Sequence, residues 1–147
     1  MKSSRKVYPL LLLLLTAFPC FAHHLAVVVN KQNSTAEVAP PHLAKIFLLE
    51  AKKWPDGKDI VVVLHKDSAG EMATLSRLNR MSSDELKAFV ASHKEIFALV
   101  DSDAEVLRVV ESTPGAVGLV DVRSITDQVN VLKVGGKLPM EQGYLPH

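Results

Sequence analysis

The stretch Ile60-Val61-Val62-Val63-Leu64-His65-Lys66-Asp67-Ser68-Ala69-Gly70-Glu71 decides the architecture. Its first five residues are an unbroken apolar run rich in β-branched side chains, which reads as a buried strand. A polar turn follows. Met72, Leu75 and Leu78 then recur at every third position, which predicts a helix capped by Asp67 or Ser68. Strands that alternate with helices in this way build an α/β sheet covered on both faces.

The alternation extends in both directions. Upstream, Leu25-Ala26-Val27-Val28-Val29 reads as another buried strand, and residues 30–41, polar and proline-bearing, as a loop. Pro40 and Pro41 suit a helix start, where a missing N–H does no harm. Leu43, Ile46 and Phe47 then share one helical face. Trp54-Pro55-Asp56-Gly57 is a turn, with Pro fixing φ and Gly supplying freedom. Downstream, Ser82 and Glu85 make a capping box for a helix whose stripe is Leu86, Phe89, Val90, His93 and Phe97. Ser102 and Glu105 repeat the box ahead of Val106, Val109 and Val110, and Pro114-Gly115 ends that helix. Ala116 to Val120 and Val129 to Val134 read as further strands, the last closed by Gly135-Gly136. The expected fold is α/β, with a mainly parallel or mixed sheet of about four to five strands and helices on both faces. No linker divides residues 23–147, so one domain is expected there.

The first 22 residues read differently. Lys2, Arg5 and Lys6 precede the leucine run Leu10 to Leu15, and Cys20-Phe21-Ala22 offers small residues at the −3 and −1 positions of a cleavage site. The apolar run is short for a bilayer crossing, so residues 1–22 are expected to be a cleaved secretory signal peptide rather than an anchor. Cys20 as a lipidated residue is the other reading, for which Phe18 and Pro19 are poor neighbours. The destination is the periplasm, where a mature chain without cysteine loses nothing to oxidation.

Composition narrows the function. With 48% hydrophobic and 22% charged residues, disorder is excluded. The 17 Lys and Arg nearly balance 16 Asp and Glu, and three of the basic residues belong to the leader. No field of one sign is left to hold a nucleic acid or an anionic membrane. A single Cys excludes a disulfide framework and a Cys-rich zinc site. His23-His24 would open the mature chain, where an amino-terminal His can chelate copper, but no His-x-x-x-His spacing completes a metal site. His93 reads as a half-buried packing residue. No Gly-x-Ser-x-Gly elbow is present, and Asp101 and Asp103 are explained as helix-start acids that favour the macrodipole. No enzyme activity, metal or cofactor is expected.

The carboxyl end of a strand in an open α/β sheet is where ligands bind. The turn after Leu64 sits there, and the free N–H groups of the next helix suit an anion. Lys66 would add charge, Ser68 a hydroxyl, Gly70 close backbone approach, and Asp67 an acceptor for a protonated oxyanion. The same residues also read as an ordinary capped helix start, and Glu71 in its first turn would repel an oxyanion.

Taken together, several segments resemble the phosphate-type periplasmic substrate-binding proteins of ABC transporters, and more closely the short, single-lobe members of that superfamily. They are Leu25 to Asn30, Ile46-Phe47-Leu48, Trp54-Pro55-Asp56-Gly57-Lys58, Ile60 to Val63, Lys66-Asp67-Ser68, Thr113-Pro114-Gly115-Ala116-Val117-Gly118-Leu119-Val120, and Val129 to Val134. The resemblance implies a single periplasmic-binding-protein-like lobe. It also implies non-covalent binding of a small oxyanion such as phosphate, and an ABC permease or other envelope protein as partner. The family's oxyanion loop maps onto His65, Asp67, Ala69, Gly70 and Glu71. Asp67 and Gly70 match it, whereas His65 stands for arginine and Glu71 for a hydroxyl. Lys66-Asp67-Ser68 echoes the Arg-Asp-Ser of short relatives. The alternative is an envelope interaction module on the same fold that has lost solute binding. An exposed Trp54 turn and the Leu43, Ile46 and Phe47 helix are its candidate contacts, with core packing the competing role for that helix.

Overall fold

The computed structural model describes residues 24–146. The expected signal peptide, the lipidation reading at Cys20 and the copper reading at His23 lie outside the described residues. In chain order the elements are β1 (Leu25–Asn30), β2 (Glu37–Val38), α1 (Pro40–Phe47), β3 (Val61–His65), α2 (Ala69–Asn79), α3 (Ser83–Ser92), β4 (Ala98–Val100), α4 (Asp103–Ser112), β5 (Ala116–Asp121), a one-turn 3-10 helix (Val122–Ser124), β6 (Val129–Val131) and β7 (Lys133–Val134).

The apolar runs pair with one another. β3 lies parallel to both β4 and β5, while β1 lies antiparallel to β5 and β6, giving a mixed sheet in the order β4-β3-β5-β1-β6. Strand residues alternate between two cores, as the pleat requires. On one face, Val28, Val63, Ala116 and Val120 pack against Val106 and Val110 of α4. On the other, Val27, Val29, Leu64 and Leu119 pack against Leu43 and Ile46 of α1, Leu75 of α2 and Leu86 of α3. Each of these Val, Leu and Ile side chains contributes about 1.5–3 kcal/mol on leaving water. The expected mixed sheet with helices on both faces is present, and Leu43, Ile46 and Phe47 are core residues.

Helix starts follow the capping chemistry. Pro40 and Pro41 open α1, and Ser82 and Glu85 of α3 satisfy each other's main-chain N–H in a full box. At α4 the box is only half formed. Ser102 Oγ accepts from Glu105 N–H, but the Glu105 carboxylate turns to Asp101 N–H at 2.7 Å.

Five expectations change. Within residues 30–41, expected to be a loop, Glu37–Val38 forms β2. α3 stops at Ser92, short of the expected stripe. There the Ser92 hydroxyl and the His93 ring both crowd the Phe89 carbonyl, competing with the helical ladder. Phe97 is buried beyond a turn, and Ala98–Val100 forms an edge strand that periodicity did not signal. The run 129–134 is two strands, because Leu132 N–H still donates to the Val27 carbonyl of β1 whereas Lys133 and Val134 turn to a small parallel pair, β7 with β2. The Trp54 turn is not an exposed contact, since the indole is 3% exposed and its Nε1–H donates to the Gly115 carbonyl at 2.9 Å. Beyond Gly136 the chain folds back: Tyr144 Oη accepts from Val27 N–H and donates to the Leu132 carbonyl, and its burial pushes its pKa up to about 12.

Candidate functional site

Because β3, β4 and β5 run parallel, they end at one edge of the sheet, at His65, Val100 and Asp121. α2 and α4 begin at that same edge. Ser68 caps α2, its Oγ accepting Glu71 N–H at 3.2 Å, which leaves Ala69 and Gly70 as the first turn's donors. Leu25, His65, Ser68, Gly70, Asp103 and Asp121 enclose a cleft of about 230 Å³. A Cβ on Gly70 would meet nothing within 4 Å, so that backbone is open to approach.

The four residues singled out on the sequence do not share one cavity. Lys66, Asp67 and Ser68 border a larger groove of about 550 Å³ that runs along α2 past Met72 and Ser76. Gly70 belongs to the small cleft, and Ser68 is the wall between the two. Lys66 Nζ pairs with Asp101 at 3.2 Å, and that hydrogen bond holds its ammonium above the usual lysine range. Both partners are largely solvated, so the pair contributes little to stability.

Glu71 departs most from the sequence reading. Its side chain is folded under the turn, 1% exposed, and Oε2 accepts His65 N–H at 2.9 Å. Burial above all, with the neighbouring Asp103 carboxylate adding to it, pushes its pKa up to about 8, against the opposing effect of the His65 N–H. Burial thus favours the uncharged form of the group, which weakens the charge repulsion expected at the helix start.

Asp103 is more than a helix-start acid. One oxygen lies 3.3 Å from His65 Nδ1, and the other accepts from Asp121 N–H at 3.0 Å and the Ser124 hydroxyl at 3.1 Å. It thereby ties the ends of β3 and β5 together. Sequence reasoning missed His65, Asp103 and Asp121 as neighbours; the available signal was that all three sit where strands end or a helix starts. Chemically, the cleft presents helix-start N–H groups and a hydroxyl to an acceptor, beside carboxylates able to take protons from it. Among the described residues, no group of three or more His, Cys, Asp or Glu is placed to hold a metal ion, and no helix is long and apolar enough to cross a membrane.

No protein-family model matches the chain. The phosphate-binding protein PstS of Bacillus subtilis is 28% identical over 120 residues, covering 78% of this chain and 37% of that protein. An ABC-type phosphate transport receptor from Vibrio cholerae superposes with a TM-score of 0.65 at 21% identity, over 80% of this chain and 48% of the receptor. PstS from Borrelia burgdorferi gives a TM-score of 0.64 at 19% identity, over 80% and 49%. The chain spans about half the length of these structures, or less of the curated relative. Its fold matches one periplasmic-binding-protein-like lobe, about half of each of these solved structures, and its sequence is similar to one phosphate-binding protein.

Proposed function

We propose that the protein is an exported, non-enzymatic substrate-binding protein of a phosphate or related oxyanion ABC transport system, acting in the periplasm with a permease as partner. One observation carries the reading: the β3–α2 turn lies at the carboxyl edge of parallel strands, and its helix-start amides open on a cleft. The chain's likeness to a phosphate-binding protein supports it. In this reading Ser68 donates its hydroxyl and Gly70 admits the anion to the backbone, while Lys66 contributes charge from the groove side and Asp67 accepts a ligand proton. A thermal-shift titration of the folded protein with millimolar phosphate, sulfate and molybdate tests it. At 100 times its Kd a ligand stabilises by about 2.7 kcal/mol. No shift with any of the three rules out solute binding.

A second reading, an envelope interaction module, draws support from the charges at this edge. Asp101, Asp103, Glu105 and Asp121 cluster there, and Asp101 engages Lys66. A stoichiometric complex with an envelope protein, formed without any thermal shift by the three anions, favours the module.

A further inference from the structure

We propose that Glu71 is a built-in occupant of the anion edge: its own carboxyl group takes the strand-end N–H of His65 that a small oxyanion would otherwise use, and Glu71 thereby sets how tightly such an anion is held. The inference rests on the oxyanion reading above and adds the residue that limits it.

The backbone explains why this N–H is available. β3 pairs with β5 through Val61 and Val62, and the ladder between the two strands stops there. Lys66 N–H goes to Val100 on the β4 side, so by strand alternation His65 N–H points to the β5 side, where no strand carbonyl meets it. A buried N–H needs a partner. Glu71, at the third position of α2, reaches back and supplies one at 2.9 Å. The donor thus capped adjoins the cleft, since His65, Ser68 and Gly70 all line it. His65 N–H and the first-turn amides of α2 would together form one convergent set of donors, and the carboxyl group removes a member of that set. Because it is tethered to the chain, a dissolved anion must compete with it at a high effective concentration. Glu71 itself is 1% exposed and lines neither the cleft nor the groove, so it reaches this edge from beneath, through the His65 N–H.

The test is an isothermal titration of phosphate and sulfate into the wild type, Glu71→Gln, Glu71→Ala and Glu71→Ser at pH 7, with each variant's unfolding midpoint measured alongside. Gln keeps an oxygen on His65 N–H and is expected to bind as the wild type does. Ala and Ser are too short to reach it, and either, if folded, is expected to bind about ten- to a hundredfold tighter, the value of one hydrogen bond to an anion. A structural loss alone would weaken binding in the short variants and could not tighten it. Folded Ala or Ser variants that bind no tighter than the wild type overturn the inference while leaving the oxyanion reading intact. Absence of binding in all four proteins overturns both.

Discussion

Trp54 Nε1 donates to the carbonyl oxygen of Gly115, and the main-chain N–H of Val61 donates to the same oxygen. Two sequence signatures far apart in the chain, Trp-Pro-Asp-Gly and Pro-Gly-Ala-Val-Gly, are therefore one joint in space. A Cβ on Gly115 would overlap the Asp59 carbonyl, and one on Gly118 would lie 2.7 Å from Val106 Cγ1, so both glycines are there for close approach. Gly115→Ala is expected to destabilise by several kcal/mol because the clash is with backbone. Trp54→Phe, which leaves Val61 N–H on the shared oxygen, should cost about 1–2 kcal/mol. Urea midpoints of the two variants check the order.

Glu71 makes stability depend on pH. Its folded-state pKa of about 8 lies above the ordinary 4.5, so the folded protein holds a proton that the unfolded chain releases. That contribution is whole below pH 4.5 and is lost as pH rises through 8. Between pH 5 and 9 the wild type should lose a few kcal/mol more than Glu71→Gln, which cannot ionise. Denaturant curves of both proteins at pH 5, 7 and 9 measure the difference; parallel profiles would refute it.

Gly70→Ala separates folding from binding. The added methyl meets nothing and sits in the first turn of α2, so stability should rise by about 0.5–1 kcal/mol. The same methyl narrows the backbone approach to the cleft, and the thermal shift with phosphate should shrink.

Lys66→Met removes a solvated ion pair with Asp101. Its unfolding free energy should stay within about 0.5 kcal/mol of the wild type, whereas the phosphate titration should weaken and lose part of its salt dependence.

Ser82→Ala deletes one half of the complete capping box of α3. About 1 kcal/mol of stability should go with it, measured by calorimetry, with little change in anion response because no α3 residue lines the cleft at Gly70, Ser83 and Lys87 bordering only the neighbouring groove.

What could be read from the residues were features with local causes. Val61 to Leu64 and Ala116 to Val120 announce buried strands by composition, and Ser82 and Ser102 announce helix starts by side-chain reach. What could not be read depended on neighbours distant in sequence. Ala98–Val100 is too short to show a period and is a strand because β3 offers it an edge. Trp54 beside a turn suggested exposure, and only the Gly115 carbonyl, sixty-one residues away, explains its burial. At the site, Ser68 as a cap was legible. The inward fold of Glu71 was not, because the unpaired N–H it meets arises where the β3–β5 ladder stops.

β1 belongs to the middle of the sheet, yet both of its partners come from the last third of the chain. Five of its six residues are buried once folded. A polypeptide emerging in order must therefore carry this sticky first segment unmatched until Asp121 and then Val131 have been made. Most of the described residues have to be present before the sheet can close, so this inner strand is completed last, by non-local pairing.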